Sequence, residues 1–191
     1  MKVSAIAKRI QEELIGRPAV NVEDLMTLGK YLVPGDHLEI GTLFGGSAIF
    51  AALVKDSGTV TCVDPLDGYY MSVERKACAV DVSGSTPSLE LLLKNASHFE
   101  VELNVVQALS HPWPLKDARF ATVYIDGDHW EDGPANDWNN VKDCTSDYVI
   151  FHDYSFPAVK AVCHGAAMDP EWEFIEQTGS SYVVGRRRDA R

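Results

Sequence analysis

The sequence is poor in the features that mark secreted, membrane-spanning and zinc-ribbon proteins. It has four cysteines among 191 residues, none of them in a Cys-x-x-Cys pair, which favours neither a disulfide framework nor a zinc ribbon. No uninterrupted apolar stretch is long enough for a membrane span, and charged residues interrupt the N-terminal segment, unlike a signal peptide. We therefore expect a cytoplasmic protein without a membrane partner.

Positive charge is also scarce. The chain has 17 Lys and Arg against 28 Asp and Glu, which gives a formal net charge of −11. A surface of that sign repels phosphate backbones, so we expect no nucleic-acid partner. The one basic cluster, Arg186 to Arg188, is predicted to be a solvated terminus. The length and the 46% of hydrophobic residues fit a single globular domain.

Apolar periodicity predicts alternating strands and helices along most of the chain. Residues 1–36 carry two amphipathic helices, which we interpret as an N-terminal helical cap on a core formed by residues 37–191. The segments 37–41 and 59–63 read as strands on either side of an apolar helix, which is a βαβ unit. The pattern predicts an α/β, Rossmann-like doubly wound fold with a mostly parallel seven-stranded sheet and helices on both faces.

The turn between the first strand and its helix is a candidate nucleotide-binding loop. It reads Leu-Glu-Ile-Gly-Thr-Leu-Phe-Gly-Gly-Ser over residues 38–47, and its backbone N–H groups would lie at a helix N-terminus. Gly41 and Gly46 have the spacing of a phosphate-binding loop, but Ser47 stands where that loop needs lysine. Leu43 stands where a dinucleotide fingerprint needs glycine. Both phosphate-binding interpretations are therefore disfavoured.

S-adenosylmethionine fits the same turn better, because it has no phosphate and carries a sulfonium and an ammonium group. Glu39, just before Gly41, suits a cationic ligand and would repel a pyrophosphate. Asp64 follows the second predicted strand, where a carboxylate accepts hydrogen bonds from ribose hydroxyls. An ordinary tight turn is the alternative interpretation of the glycines, and a nicotinamide oxidoreductase is the alternative enzyme.

Two polar clusters follow two later strands. Asp126, Asp128 and His129 come after one strand, and His152 and Asp153 come after the next. If these strands are neighbours, Asp126, His152 and Asp153 converge as ligands for a divalent metal, Mg²⁺ or Mn²⁺. His129 has the intrinsic pKa of a general base, and Asp128 is the rival base. The alternative is that these strand-end carboxylates only accept hydrogen bonds from loop N–H groups.

The motifs LEIGTLFGGS, VDPLDGYY, VYIDGDHWED and VIFHDYS resemble, in order and spacing, those of class I S-adenosylmethionine-dependent methyltransferases. More narrowly, they resemble the metal-assisted small-molecule O-methyltransferases of the catechol, caffeoyl-CoA and macrocin types. The resemblance implies Asp126 as a metal ligand and places the base at Asp128 or His129, of which we favour His129. In those families an acidic pair completes the metal ligands, whereas this chain has His152 and Asp153 there.

The same resemblance implies a set of cofactor contacts. With the turn after the third strand included, they are Glu39, Gly41, Thr42, Gly45, Ser47, Asp64, Ala108, Leu109, Ser110 and Asp126. The expected reaction is methyl transfer from S-adenosylmethionine to a hydroxyl of a small-molecule acceptor, with a general base and a divalent metal. A metal-independent N-methyltransferase and a non-catalytic nucleotide-binding module remain alternatives. Tyr69 and Tyr70 are expected near the acceptor, and a homodimer is left open.

Overall fold

The computed structural model describes residues 2–16, 19–66 and 86–188 of the chain. In chain order, its elements are α1 (Val3–Glu13), α2 (Val22–Tyr31), β1 (His37–Ile40), α3 (Gly46–Val54), β2 (Val60–Val63), α4 (Leu89–His98), β3 (Asn104–Val106), β4 (Phe120–Ile125), α5 (Gly133–Val141), β5 (Thr145–Phe151), α6 (Pro157–Met168), β6 (Trp172–Thr178) and β7 (Ser181–Arg186). Tyr69 and Tyr70, predicted near the acceptor, lie outside the described residues.

The seven strands form one open sheet in the order β3-β2-β1-β4-β5-β7-β6. The first five strands of this order run parallel, whereas β7 is antiparallel to both β5 and β6. The predicted Rossmann-like, mostly parallel sheet is therefore confirmed. The chain reverses its direction of travel across the sheet between β1 and β4, so the carboxyl ends of these two strands border the crevice where such folds bind ligands.

An apolar cluster lies on each face of the sheet. The helices α1, α2 and α3 pack on one face, and α5 and α6 pack on the other. All six residues of β4 are buried, as expected for a central parallel strand that is covered on both faces. The two N-terminal helices thus form part of a core layer. None of the helices within the three described ranges combines the length and apolar character needed to cross a bilayer.

The second helix carries an acidic residue into the protein interior. Asn21 caps α2 by accepting a hydrogen bond from the backbone N–H of Asp24 at 3.0 Å. Leu25 and Leu28 are fully buried and anchor the helix to the core. Asp24 lies on the same stripe, four residues before Leu28, and is only 1% exposed. A carboxylate therefore enters the interior from the N-terminal part of the chain.

The basic cluster at the end of β7 is only partly solvated, because Arg187 and Arg188 are exposed, as predicted, whereas Arg186 is half-buried. The Arg186 guanidinium donates hydrogen bonds to the carbonyl oxygens of Lys142 and Thr145, both at 2.9 Å, and forms an ion pair with Glu171. Arg187 donates to a backbone carbonyl at the start of β6. The planar guanidinium, with its several donors, suits such carbonyl and carboxylate partners. These arginines tie β7 to the adjacent strand ends.

Candidate active site

The glycine turn lies against the loop that follows β4. Gly41 has a φ of +80°, and a Cβ at this position would lie 2.1 Å from the carbonyl oxygen of Asp126. Glycine is therefore required both by the backbone conformation and by this close approach. Gly45, with a φ of +92°, precedes the first turn of α3 as its N-cap. The turn after β1 and the loop after β4 are thus in direct backbone contact.

Asp64 holds the glycine turn from the end of β2. Its Oδ2 accepts hydrogen bonds from the backbone N–H groups of Thr42 at 2.6 Å and Leu43 at 3.1 Å. Its Oδ1 accepts from the N–H of Leu66 at 2.8 Å. Hydrogen bonds from backbone N–H groups to a carboxylate are stronger than those between neutral groups. Asp64 is therefore a support of the turn, and its contact with a ribose stays a prediction.

Glu39 is a buried carboxyl group at the end of β1. The residue is 0% exposed, and its paired residues in β2 and β4, Cys62 and Tyr124, face the apolar cluster beneath α3. Burial raises the pKa of Glu39 well above its ordinary value, although the nearby hydroxyls of Ser47 and Thr42 lower it. The neutral acid is therefore favoured. Neither carboxylate oxygen has a hydrogen-bond partner of good geometry among the described residues, and the contact of Glu39 with a cationic cofactor stays a prediction.

The turn after β3 completes this side of the crevice. Ala108, Leu109 and Ser110 form it, and Leu109 is exposed. The side-chain amide of Asn140, on α5, donates a hydrogen bond to the carbonyl oxygen of Ser110 at 2.8 Å. The backbone N–H of Asp64 donates to the last residue of β3. The predicted adenine-side turn therefore lies at the same sheet edge as the glycine turn.

Five charged side chains form a continuous cluster beyond the ends of β4 and β5. In spatial order, the members of this charged cluster are Asp24, His152, Asp126, His129 and Asp153. His152 Nε2 lies 3.3 Å from Asp24 Oδ2, and His152 Nδ1 lies 3.0 Å from Asp126 Oδ1. His129 Nε2 lies 3.2 Å from the same Asp126 oxygen, and His129 Nδ1 lies 3.5 Å from Asp153 Oδ2. Carboxylates and imidazoles thus alternate along the cluster.

The register of the sheet brings these side chains together. The backbone N–H of Asp126 donates to the carbonyl oxygen of Ile40 at 2.8 Å, and that of His152 donates to Ile125 at 2.9 Å. These backbone hydrogen bonds between neighbouring strands place the ends of β4 and β5 at the same edge of the sheet. Asp153 has a φ of +55°, in the left-handed region that aspartate tolerates better than most residues. This conformation follows directly after His152, at the point where β5 leaves the sheet.

Mutual pairing perturbs the pKa values of the cluster. Burial alone would raise the pKa of Asp126, but the charge of His152 and the hydrogen bonds from His129 and His152 hold it well below its usual range. Burial alone would lower the pKa of His152, yet Asp126 and Asp24 raise it to about 11. For His129 also, Asp126 and Asp153 outweigh burial and raise the pKa. The arrangement favours the imidazolium form of His152 and makes the imidazole of His129 a stronger base.

The rival base, Asp128, lies outside this alternating cluster. It is exposed, and its Oδ1 accepts a hydrogen bond from the backbone N–H of Trp130 at 3.2 Å. The Trp130 side chain is 44% exposed and packs edge-on against Phe156, which also contacts the ring of His129. The carboxylate of Asp128 therefore supports its own loop, whereas two carboxylates orient the imidazole of His129.

Sequence reasoning missed Asp24. The residue is remote in sequence from every motif, and it belongs to a helix that the analysis interpreted only as a cap. The one available signal was its place on the apolar stripe of α2 beside Leu25, where a lone acidic residue calls for a buried partner. That signal predicts a partner without naming it, because the partner, His152, is brought there by the topology of the sheet.

Three members of the charged cluster offer ligand atoms to one metal ion. Such atoms of Asp126, His152 and Asp153 lie within 4.8 Å of one another. Two carboxylates and one imidazole suit Mn²⁺ or Mg²⁺. Asp24, at the far nitrogen of His152, matches the outer carboxylate that usually accompanies a metal-bound imidazole. The donor set therefore fits a divalent ion, provided that the Nδ1 of His152 carries no proton.

The sequence matches the family of methyltransferase domains over residues 38–154, which is more than half of the chain. The chain belongs to this family. The match spans the glycine turn, the loop after β4 and the end of β5, so it includes the residues that line the crevice. Together with the motifs, it identifies the chain as a class I S-adenosylmethionine-dependent methyltransferase.

Solved structures of methyltransferases share this fold at low sequence identity. A Pyrococcus horikoshii protein, described as a proposed RNA methyltransferase, has a TM-score of 0.66 at 12% identity, with 100% of both chains covered. The O-methyltransferase from Bacillus cereus in complex with S-adenosylhomocysteine has a TM-score of 0.61 at 14% identity, covering 96% of this chain and 97% of its own. TomG, the Streptomyces achromogenes O-methyltransferase of tomaymycin synthesis in complex with S-adenosylmethionine, has a TM-score of 0.61 at 15% identity, covering 97% and 89%. No curated protein matches the sequence.

Proposed function

We propose that this methyltransferase transfers the methyl group of S-adenosylmethionine to a hydroxyl group of a small molecule. The observation that carries the proposal is the imidazole of His129, which two carboxylates orient at the edge of the crevice beside the glycine turn. Two of the structural neighbours are named O-methyltransferases. The net charge of −11 supports an acceptor without a phosphate backbone, in preference to RNA.

The glycine turn is the proposed cradle for the cofactor. The N-terminus of α3, at Gly45 to Ser47, presents backbone N–H groups that suit a carboxylate. The hydroxyl of Thr42 is buried near Glu39 and forms no hydrogen bond of good geometry among the described residues, so a polar ligand group at the turn would satisfy it. The backbone of Asp126 lies against Gly41, and the carboxylate of Asp126 is the proposed partner of the cofactor's ammonium group. Ala108 to Ser110 would border the adenine.

His129 is the proposed general base. S-adenosylmethionine supplies a methyl group on a cationic sulfur, and its transfer is an in-line displacement at carbon, so the acceptor oxygen must be held close to that carbon. When Nε2 of His129 donates its proton to Asp126, Nδ1 is the atom that accepts the proton of the hydroxyl. Asp153, 3.5 Å from Nδ1, stabilises the imidazolium that forms. Asp128 remains the rival base.

A divalent ion held by Asp126, His152 and Asp153 would supply positive charge beside the acceptor oxygen and stabilise the oxyanion that develops there. The second candidate is metal-free transfer to oxygen or nitrogen. The observation that favours it is the placement of His152, whose ring lies between Asp24 and Asp126 and, when protonated, already provides a fixed positive charge at this position.

Isothermal titration with S-adenosylhomocysteine, with and without Mn²⁺, tests the cofactor and the metal separately. We expect binding of S-adenosylhomocysteine, followed by methyl transfer to members of a panel of hydroxyl compounds. Transfer to amines alone would contradict the proposal that the acceptor atom is an oxygen. Full activity in excess EDTA would show that the reaction needs no divalent metal. Cofactor binding without transfer to any acceptor would favour a non-catalytic module.

A further inference from the structure

Asp24 is the one member of the charged cluster that comes from the N-terminal helices. Its Oδ1 accepts hydrogen bonds from the backbone N–H of Ser180 at 3.2 Å and from the hydroxyl of Ser181 at 3.1 Å. Its Oδ2 faces Nε2 of His152 at 3.3 Å. Oδ1 thus ties α2 to the start of β7, whereas Oδ2 lies at ion-pair distance from the imidazole of His152 without the geometry of a hydrogen bond.

On the proposed function, we propose that Asp24 is a positioning residue that fixes the ring of His152 and, through Asp126, the ring of the base His129. Asp24 is 1% exposed, and a carboxylate is costly to bury unless it is paired. Tying the start of α2 to the turn between β6 and β7 needs only one of its two oxygens. The other oxygen is committed to the site.

The shortest contacts transmit this restraint through one oxygen of Asp126, and a longer contact joins Nδ1 of His152 to Oδ1 of Asp153 at 3.7 Å. Oδ1 of Asp126 faces Nδ1 of His152 at 3.0 Å and Nε2 of His129 at 3.2 Å. A rotation of the His152 ring therefore moves the oxygen that orients His129. The opposite end of the cluster is looser, because the Asp153 side chain is 31% exposed and lies 3.5 Å from the His129 ring. The position of the base is thus set mainly from the buried end, which begins at Asp24.

A merely structural role is the alternative, in which Asp24 only ties α2 to the turn before β7. Two variants separate the roles. Asp24→Asn is isosteric, and when its carbonyl oxygen keeps the two serine contacts, its amide group presents a donor to His152 in place of an acceptor. Ser181→Ala removes one structural tie and leaves the contact with His152 intact. The second variant is therefore the matched control.

With an acceptor from the hydroxyl panel, we expect Asp24→Asn to lower kcat by about 10- to 100-fold, the usual effect of losing an outer carboxylate behind a functional imidazole. The KM for S-adenosylmethionine and the affinity for S-adenosylhomocysteine are expected to stay unchanged, because the glycine turn is untouched. Ser181→Ala is expected to lower the melting temperature and to keep kcat. Equal effects of the two variants on stability, with kcat retained in both, would reduce Asp24 to a structural tie.

A second readout needs no acceptor. In protein labelled with ¹⁵N-histidine, and with the ring signals of His152 assigned by His152→Gln, we expect a ring N–H proton of His152 that exchanges slowly with water. Asp24→Asn should shift that signal, whereas Ser181→Ala should not. Rapid exchange in the unmodified protein, or an unchanged signal in Asp24→Asn, would overturn the inference. If no compound is methylated, the proposed function fails, and the ring signals still decide the role of Asp24.

Discussion

The glycine turn and the charged cluster lie side by side but are built in different ways. The turn is a contiguous stretch of chain whose shape is held by backbone N–H groups that donate to one carboxylate, Asp64. The charged cluster joins side chains from α2 and from the loops after β4 and β5 by alternating opposite charges. Most side-chain changes in the turn should therefore be tolerated, whereas each change in the cluster should disturb its neighbours.

The largest expected effect is on the chemistry of the cluster. His129→Ala removes the proposed base, and we expect kcat to fall by about 10²- to 10⁴-fold while the affinity for S-adenosylhomocysteine is retained. Steady-state kinetics measure kcat, and calorimetry on the same preparation measures the affinity for S-adenosylhomocysteine. His164→Ala, which removes an exposed histidine from α6, is the control. A larger loss of kcat in Asp128→Ala than in His129→Ala would mean that Asp128, and not His129, is the base.

The next largest effect is on the backbone of the turn. Gly41→Ala combines a positive φ with a clash against the carbonyl oxygen of Asp126. We expect a loss of about 1–3 kcal/mol of unfolding free energy from the backbone conformation alone, together with weaker binding of S-adenosylhomocysteine. Urea denaturation and calorimetry measure the two effects.

Gly165→Ala is the matched control for that change. Gly165 lies in α6, and a Cβ there would have nothing within 4 Å. Alanine in place of glycine at an unhindered helical position should be neutral or stabilise by up to about 1 kcal/mol. Equal losses in the two variants would mean that the close approach of the turn to Asp126 has no energetic importance.

The pH dependence of stability tests the pairing of His152. Burial lowers its pKa, but Asp126 and Asp24 raise it overall to about 11, against about 6.5 in an unfolded chain. The stabilising contribution is therefore complete below pH 6.5 and is lost as the pH rises towards 11, with a slope of at most about 1.4 kcal/mol per pH unit. Urea denaturation between pH 7 and pH 10 should show a decline for the native protein and a flatter profile for His152→Gln. Parallel profiles would show that His152 is neutral in the folded state.

The fold and the glycine turn could be predicted because both depend on local sequence. The periodicity predicted two helices within residues 1–36, where α1 and α2 lie, and strands at 37–41 and 59–63, where β1 and β2 lie. The orientation of Glu39 could not be predicted. All four residues of β1 are buried, so the strand has no polar and apolar alternation that would show which face each side chain occupies.

The charged cluster could be predicted only in part. The strand ends identified Asp126, His129, His152 and Asp153 as polar residues at one sheet edge, since parallel neighbours end at the same edge. The partner of His152 on its far side comes from a helix placed by tertiary packing, which leaves no motif. For this reason the sequence suggested a metal ligand at His152, while the structure also gives its ring a carboxylate on each side.

The smallest expected effect is that of a substitution at Glu39, which we compare with the same kind of substitution at Asp64. Burial favours the neutral acid at Glu39, so Glu39→Gln replaces one neutral group by another and should change the unfolding free energy at neutral pH by less than about 1 kcal/mol. Asp64→Asn should cost about 1.5–3 kcal/mol or more, because the carboxylate accepts hydrogen bonds from three backbone N–H groups. Chemical denaturation at neutral pH compares the two. A cost for Glu39→Gln that exceeds that of Asp64→Asn would mean that Glu39 is ionised, and the turn would then rest on two buried charges.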